Sequence, residues 1–370
     1  MMRTRTVVAA LCAAALLAGA ANAAEKSLLA SLKAGTPDLK QAGALAFAPE
    51  GILFVGDTTS AAVFAIDTGD RPAKPAEGAI KVEGIKEKIA GLLGADVKQV
   101  AINSLAVNPL SGNAYLSVTR GSGPDAMPVL LRVAHSGKIE EVALKDVKFA
   151  KATLPNPPDP AKKVRGQPLR VDTITSLGYA DGKVYVAGLS NEEFSSKLRA
   201  IPFPFTEADR GASIEIYHAS HRHIETNSPV RTFVPYKVGD ETDLLAAYTC
   251  TPLVKVPVSA LKPGEKVKGT TIAELGNMNR PLDMIVYQKD GKDYILIANS
   301  ARGIMKVPTE GVGTAKAITT PVSGGGTAGI AYETIKNLKG VKHLAKLDSG
   351  HALLLVDKDG AQNLETVELP

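Results

Sequence analysis

Short apolar runs broken by turn residues recur from residue 44 to the end of the chain. Residues 44–68 read ALAFAPEGILFVGDTTSAAVFAIDT, three apolar segments separated by turns rich in Pro, Gly, Asp and Thr. Related segments follow: SLAVNPLSGNAYLSVTRG with PVLLRV from Ser104, TSLGYADGKVYVAGLS with SKLRAIPFPF from Thr175, and RTFVPYKVGDETDLLAAYTCTPLVKVPV from Arg231. DMIVYQKDGKDYILIANSARGIMKVP from Asp283 and HLAKLDSGHALLLVDKDGAQNLETVEL from His343 complete six copies. Each segment alternates or runs apolar over strand lengths and stops at turn residues, so each copy predicts three strands. Asp181-Gly182, Asp290-Gly291 and Ser349-Gly350 stand between first and second strands, where a tight hairpin needs positive φ.

A fourth, outer strand can be assigned at residues 139–144 and 270–275. Copies start about 50–70 residues apart, a spacing that signals a propeller or solenoid. Four-stranded units at this spacing predict an all-β propeller with six blades. A seventh would have to come from residues 327–335. The last copy runs out of chain after three strands, so the segment KSLLASL, residues 26–32, is expected to supply its outer edge and close the ring. Residues 86–99 have helical spacing, with Ile89, Leu92, Leu93 and Val97 on one side. Residues 152–170, rich in Pro and Lys, predict an exposed loop.

The first 23 residues change the compartment. Arg3 and Arg5 precede an apolar run over 7–17, and Ala21-Asn22-Ala23 is an A-x-A cleavage site, the pattern of a secretory signal. The expectation is a periplasmic protein, residues 24–370 forming one propeller domain, with no membrane span after cleavage. The formal charge of +5 then falls to about +3, since two arginines and no acid are lost. No basic run is interleaved with aromatics, so nucleic acid is not an expected partner. Cys12 falls within the signal, leaving Cys250 without a disulfide partner; it is expected as a small apolar residue in a strand. The chain has no Trp and 5% aromatics, which argues against a sugar-stacking platform, and it has no C-x-x-C-H for haem attachment.

With these repeats in view, NRPLDMIVYQKDGKDYILIANSARGIMKVP (279–308) resembles the broad group of six-bladed propellers that includes NHL-repeat, gluconolactonase (regucalcin-like) and strictosidine-synthase-like proteins. GLSNEEFSSKLRAIPFPF (188–205) is similar to uncharacterised secreted bacterial propellers. The resemblance covers most of the chain as fold and implies no single function. Gluconolactonase-type members hold a divalent metal in the channel with a Glu, Asn and Asp set. At the first-blade position this sequence has GALAF, with no Glu.

Four segments carry candidate chemistry. YHASHRH places His218, His221 and His223 together, donors suited to Zn or Cu. In a straight strand His218 would face away from the other two, so convergence requires a bend; without one, the segment is an exposed loop. Asn103, Asp172, Arg231, Asp283 and His343 stand at or just before inner strands, where a propeller turns side chains toward its channel. Asp283 and His343 could form an acid–base pair, with Arg231 to hold an anion and Asn103 and Asp172 as further ligand-binding groups; the alternative is a ring of salt bridges closing the channel. Ser190 to Ser196 lacks the G-x-S-x-G elbow of a serine nucleophile. SGGGTAG, residues 323–329, lacks the ending of a phosphate loop.

No complete catalytic set emerges. The expected function is a monomeric binding propeller for a periplasmic protein or a small molecule. The alternatives are a lactonase-like hydrolase with a divalent ion such as Ca in the channel, and a Cu- or Zn-binding or redox-partner protein using the histidine cluster.

Overall fold

The computed structural model describes residues 27–370 except Arg165 and Gly324; the signal sequence expected over 1–23 lies outside these. Among the described residues the long strands form six sheets of at least four strands each, antiparallel except where Lys266–Lys268 pairs in parallel with Ala212–His218. Their innermost strands are Leu45–Phe47, Val100–Val107, Ser176–Ala180, Thr232–Val238, Pro281–Lys289 and Val341–Lys346, which define blades 1 to 6. These six strands contact one another around a closed ring, giving a six-bladed propeller with a central channel. No described helix is long and apolar enough to cross a membrane.

The second strand of each blade explains its sequence. Ile52–Asp57 is buried throughout, and the central residues of Glu241–Ala247 and His351–Lys358 are buried as well. A mid-blade strand is covered on both faces by neighbouring blades, so it reads as a continuous apolar run rather than an alternation. Six buried clusters fill the spaces between blades. Leu116 and Val118 of blade 2 meet Leu353 and Leu355 of blade 6, all fully buried; each such aliphatic side chain contributes about 1.5–3 kcal/mol on burial. Phe54 of blade 1 sits fully buried against Phe203, 5.0 Å between ring centroids, at the interface with blade 3.

These interfaces reveal an order that differs from the order of the chain. Around the ring the blades run 2, 1, 3, 4, 5, 6 and back to 2. After three strands of blade 1 the chain leaves along residues 68–80, pairs Lys81–Val82 with the last strand of blade 6, and builds blade 2 between blades 6 and 1. It returns as Val147–Thr153, the fourth strand of blade 1, and only then continues into blade 3. The crossing segment is pinned across blade 2. Asp70, 8% exposed, accepts hydrogen bonds from Ser111 Oγ (2.6 Å), Asn113 Nδ2 (3.0 Å) and Tyr115 OH (3.0 Å), and Asn108 Nδ2 donates to its backbone carbonyl (2.8 Å). His135 contacts the carbonyls of Gly78 and Gly112.

Several expectations are corrected. Ring closure does not use residues 26–32. Leu28–Ser31 is a 3₁₀ turn, and Lys33–Gly35 lies on the outer edge of blade 1. Lys81–Val82 closes blade 6 instead, because Ile80 and Gly84 find Thr366 and Asn363 there. Residues 327–335 form no seventh blade; they supply outer strands to blades 4 and 5. The predicted helix is Ile85–Leu93, ended by Gly94 at φ 60°, with Leu92 turned to solvent. The Asp181-Gly182 and Asp290-Gly291 turns have positive φ at both residues, whereas Ser349-Gly350 does not; Asp359-Gly360 makes such a turn one hairpin later. Cys250 is not in a strand. It lies in the turn after Glu241–Ala247 at φ 63°, half-buried.

Candidate functional site

All six inner strands start at the same end of the channel, so residues at or just before their first positions meet at one mouth. Three of these strands share a local irregularity. The pairing register shifts between Ile102 and Ser104, between Pro281 and Asp283, and between Val341 and His343. Such bulges re-aim side chains at sheet rims. Here they occur in three blades that are consecutive around the ring, blades 2, 6 and 5. Leu105, Met284 and Leu344 follow as buried anchors in the same relative position.

The channel encloses about 1040 Å³ and is lined by every blade. Asp172 and Arg231, 59 residues apart in sequence, form an ion pair of 2.7 Å between blades 3 and 4, and Arg231 Nε also donates to Thr249 Oγ1 (3.2 Å). Asp283 and His343 face one another between blades 5 and 6, with Nδ1 3.4 Å from Oδ2. The Asp283 carboxylate also accepts from the backbone amides of Met284 (2.9 Å) and Leu344 (3.3 Å), which fixes its orientation. Asn103 is spoken for: its Nδ2 donates to Ala42 O (2.9 Å) and Thr119 Oγ1 (2.8 Å), joining blades 1 and 2.

Arg280 also lines the mouth. Its guanidinium makes no hydrogen bond or ion pair among the described residues, although Arg231 and Asp172 both act on it electrostatically. Partial shielding of the guanidinium and the like charge of Arg231 pull its pKa below the usual range, and Asp172 opposes them. Arg280 was legible in principle. It immediately precedes the inner strand of blade 5, as Arg231 precedes that of blade 4, so aligning the copies places an arginine at the same position twice. Among side chains lining the channel, Arg231, Arg280, Lys342 and Lys346 outnumber the carboxylates of Asp172 and Asp283.

The His, Asp and Glu side chains of the channel do not gather around one point. Ala44 stands at the first-blade position, Asp172 is held by Arg231, and among the described residues no three His, Cys, Asp or Glu groups in the channel converge closely enough to share an ion.

The histidine segment lies elsewhere, on the outside of blade 3. Ala212–His218 ends at a turn with Arg222 at φ 65°, and His223–Glu225 pairs back upon it. That bend puts His218, His223 and Glu225 on one face of a hairpin and folds His221 over them. His218 Nδ1 lies 2.9 Å and His221 Nδ1 2.6 Å from Glu225 Oε1. The alternative of an exposed loop is corrected: the segment bends, His218 is fully buried, and Glu225 is its partner. Burial pushes the Glu225 carboxyl up, but hydrogen bonds from His218, Ser228 and His221 outweigh it and hold its pKa down at about 2. In the 190–196 loop, Glu192 accepts from the buried Lys197 ammonium (2.7 Å). The glycine-rich 323–329 segment leads into the edge strand Thr327–Gly329 of blade 4.

No family model matches the chain, and no curated protein matches it. Solved structures to which the chain is similar include the PQQ-bound aldose sugar dehydrogenase of Streptomyces coelicolor, at 12% identity, covering 90% of this chain and 96% of that one with a TM-score of 0.33. A glucose dehydrogenase is similar at 11% identity, 92% and 98% coverage and a TM-score of 0.36. A streptogramin B lyase is similar at 9% identity, 91% and 97% coverage and a TM-score of 0.33. At that identity and superposition, the likeness bears on neither activity nor ligand.

Proposed function

We propose that this protein is an exported binding propeller that holds a small organic anion, a carboxylate or phosphate ester, in the channel mouth. The observation that carries the reading is the pairing of Arg231 and Arg280 around the single carboxylate of Asp172. Asp172 orients Arg231, and Arg280 keeps its donors free for a ligand. A planar guanidinium can grip a carboxylate or phosphate through two parallel hydrogen bonds. The excess of cationic lining attracts anions into the channel. Export through residues 1–23 would place this binding in the periplasm.

The test is calorimetric titration of mature protein with a panel of di- and tricarboxylates, sugar acids and sugar phosphates, beside Arg280→Ala. Arg280 is exposed, so its loss leaves the core intact. Binding is expected to weaken by about 10- to 100-fold in the variant, the value of a charge-assisted hydrogen bond. A panel without any binder, or a variant that binds like the parent, would overturn the proposal.

The Asp283–His343 contact favours one second reading, acid–base hydrolysis in the same mouth. It requires turnover of a lactone or ester panel that disappears in Asp283→Ala.

A further inference from the structure

Outside the channel, the hairpin of blade 3 gathers donors that the anion site does not use. The imidazoles of His218 and His221 lie against one another, 3.7 Å between centroids, and both direct Nδ1 at the same oxygen of Glu225. His223 adds a third ring, with Nε2 3.6 Å from that oxygen and Nδ1 engaged by the carbonyl of His221 (2.9 Å). The ligand atoms of His218, His221 and Glu225 all fall within 4.8 Å of one another.

A second observation concerns the far side of the buried ring. His218 is fully enclosed, and its Nε2 has no hydrogen-bond partner. The nearest carboxylate there is Glu274, also enclosed, whose Oε2 is 4.0 Å away. Glu274 belongs to the outer strand Thr270–Leu275 of blade 4. It is held in place by the backbone amide of Ala219 (2.7 Å) and the hydroxyl of Ser220 (2.9 Å), both in the turn of the histidine hairpin. With a proton on Nδ1 donated to Glu225, Nε2 presents a lone pair toward an anion. A cation on Nδ1 reverses this: the ring proton moves to Nε2 and points at Glu274. Metal-bound histidines almost always donate their other N–H to a carboxylate, backbone carbonyl or water, which fixes tautomer and orientation.

We infer that the His218–Glu225 hairpin is a binding site for a divalent transition ion of the zinc or copper class. Its ligands are His218 Nδ1, His221 Nδ1, His223 Nε2 and a Glu225 carboxylate oxygen, and Glu274 positions His218 from behind. Imidazole and carboxylate suit these ions in four-coordinate geometry. Bond lengths near 2.0–2.1 Å require neighbouring ligand atoms about 3.3 Å apart, so the Nδ1 atoms of His218 and His221 must draw back from Glu225 Oε1, from 2.9 and 2.6 Å, while His223 Nε2, 3.6 Å from it, must swing in. The side that yields is the exposed one: His221 and His223 are 39% and 62% accessible, whereas His218 is not. The ion would sit where the outer strands of blades 3 and 4 meet, outside the channel, so it is independent of the anion proposal.

The test uses full-length mature protein without a polyhistidine tag, stripped with chelator and titrated with Zn²⁺, Cu²⁺ and Co²⁺ in competition with a chromophoric chelator. The parent is expected to bind one ion, and bound cobalt to show the intense visible absorption of a tetrahedral site. The His221→Ala/His223→Ala double variant changes exposed side chains and should fold. Its affinity is expected to fall on the order of 100-fold or more, with loss of the cobalt band. Glu225→Gln should also lose the band. Stoichiometric copper binding with weak zinc binding supports the site and selects copper. Equal affinity in parent and double variant, or no ion bound by the parent, overturns the inference and leaves the cluster as a hydrogen-bonded clamp between the two strands.

Discussion

The crossing segment that sets the blade order makes a quantitative prediction at Asp70. Asp70→Ala removes the carboxylate to which Ser111, Asn113 and Tyr115 donate, while Asn108 keeps its bond to the backbone carbonyl of residue 70. Ser111 and Tyr115 are each 1% exposed, so water cannot easily replace the lost acceptor. Each orphaned buried donor costs about 1–3 kcal/mol. Asn113 is only half-buried and can turn toward solvent. After partial relaxation the loss should be about 3–4 kcal/mol, which for a domain of this size corresponds to roughly 4–6 °C in Tm. Urea unfolding at pH 7 measures it as a lower midpoint at unchanged slope. The same carboxyl supplies a pH signature. Burial raises its pKa, but bonds from Ser111, Asn113, Tyr115 and Asn108 outweigh burial and leave it below the ordinary aspartate value. Its contribution is therefore fully present above the unfolded pKa near ~3.9 and is lost as pH falls through the lower folded value. The gap between parent and Asp70→Ala should narrow across that acidic window. A loss below about 1 kcal/mol at pH 7 would refute the claim that this carboxylate pins the crossing segment.

Two further predictions concern the mouth. Asp172→Asn removes the carboxylate that competes for Arg231, so anion affinity should rise about two- to fivefold, the worth of a partly exposed ion pair; unchanged binding by titration would count against a role for Arg231 in holding the ligand. Gly188 of blade 3 packs so closely that a Cβ would lie 2.0 Å from the carbonyl of Thr173 and 2.8 Å from that of Asp172. Gly188→Ala should displace the 172–173 backbone, cost at least about 2 kcal/mol by thermal or urea unfolding, and alter anion affinity with it; an unaffected Tm would contradict the packing.

Much of the blade architecture was readable because its causes are local. LLAAY and ALLLV are apolar throughout, which suits only strands covered on both faces, and Asp-Gly pairs specify tight hairpins through their tolerance of positive φ. The histidine hairpin was half readable. The residue types indicated metal chemistry, but the reversal at 219–222 and the approach of Glu274, some fifty residues away, belong to the packing of blade 3 on blade 4. At the mouth, the placement of Asp172 and Arg231 before inner strands, and of Asp283 and His343 within them, followed from the repeat. Their pairing did not, since it depends on which blades adjoin.

Strands, turns and the sixfold repeat follow from residue order alone, since side-chain periodicity and turn chemistry act over a few residues. The order of blades around the ring, by contrast, is set by long-range packing. The outer edge of any blade offers the same backbone donors and acceptors, so hydrogen bonding alone does not choose between residues 26–32 and Lys81–Val82 for blade 6. That choice is made by contacts distant in sequence: Asp70 held across the Asn108–Tyr115 hairpin, Ile80 and Gly84 against the last strand, and Leu116 and Val118 packed on Leu353 and Leu355.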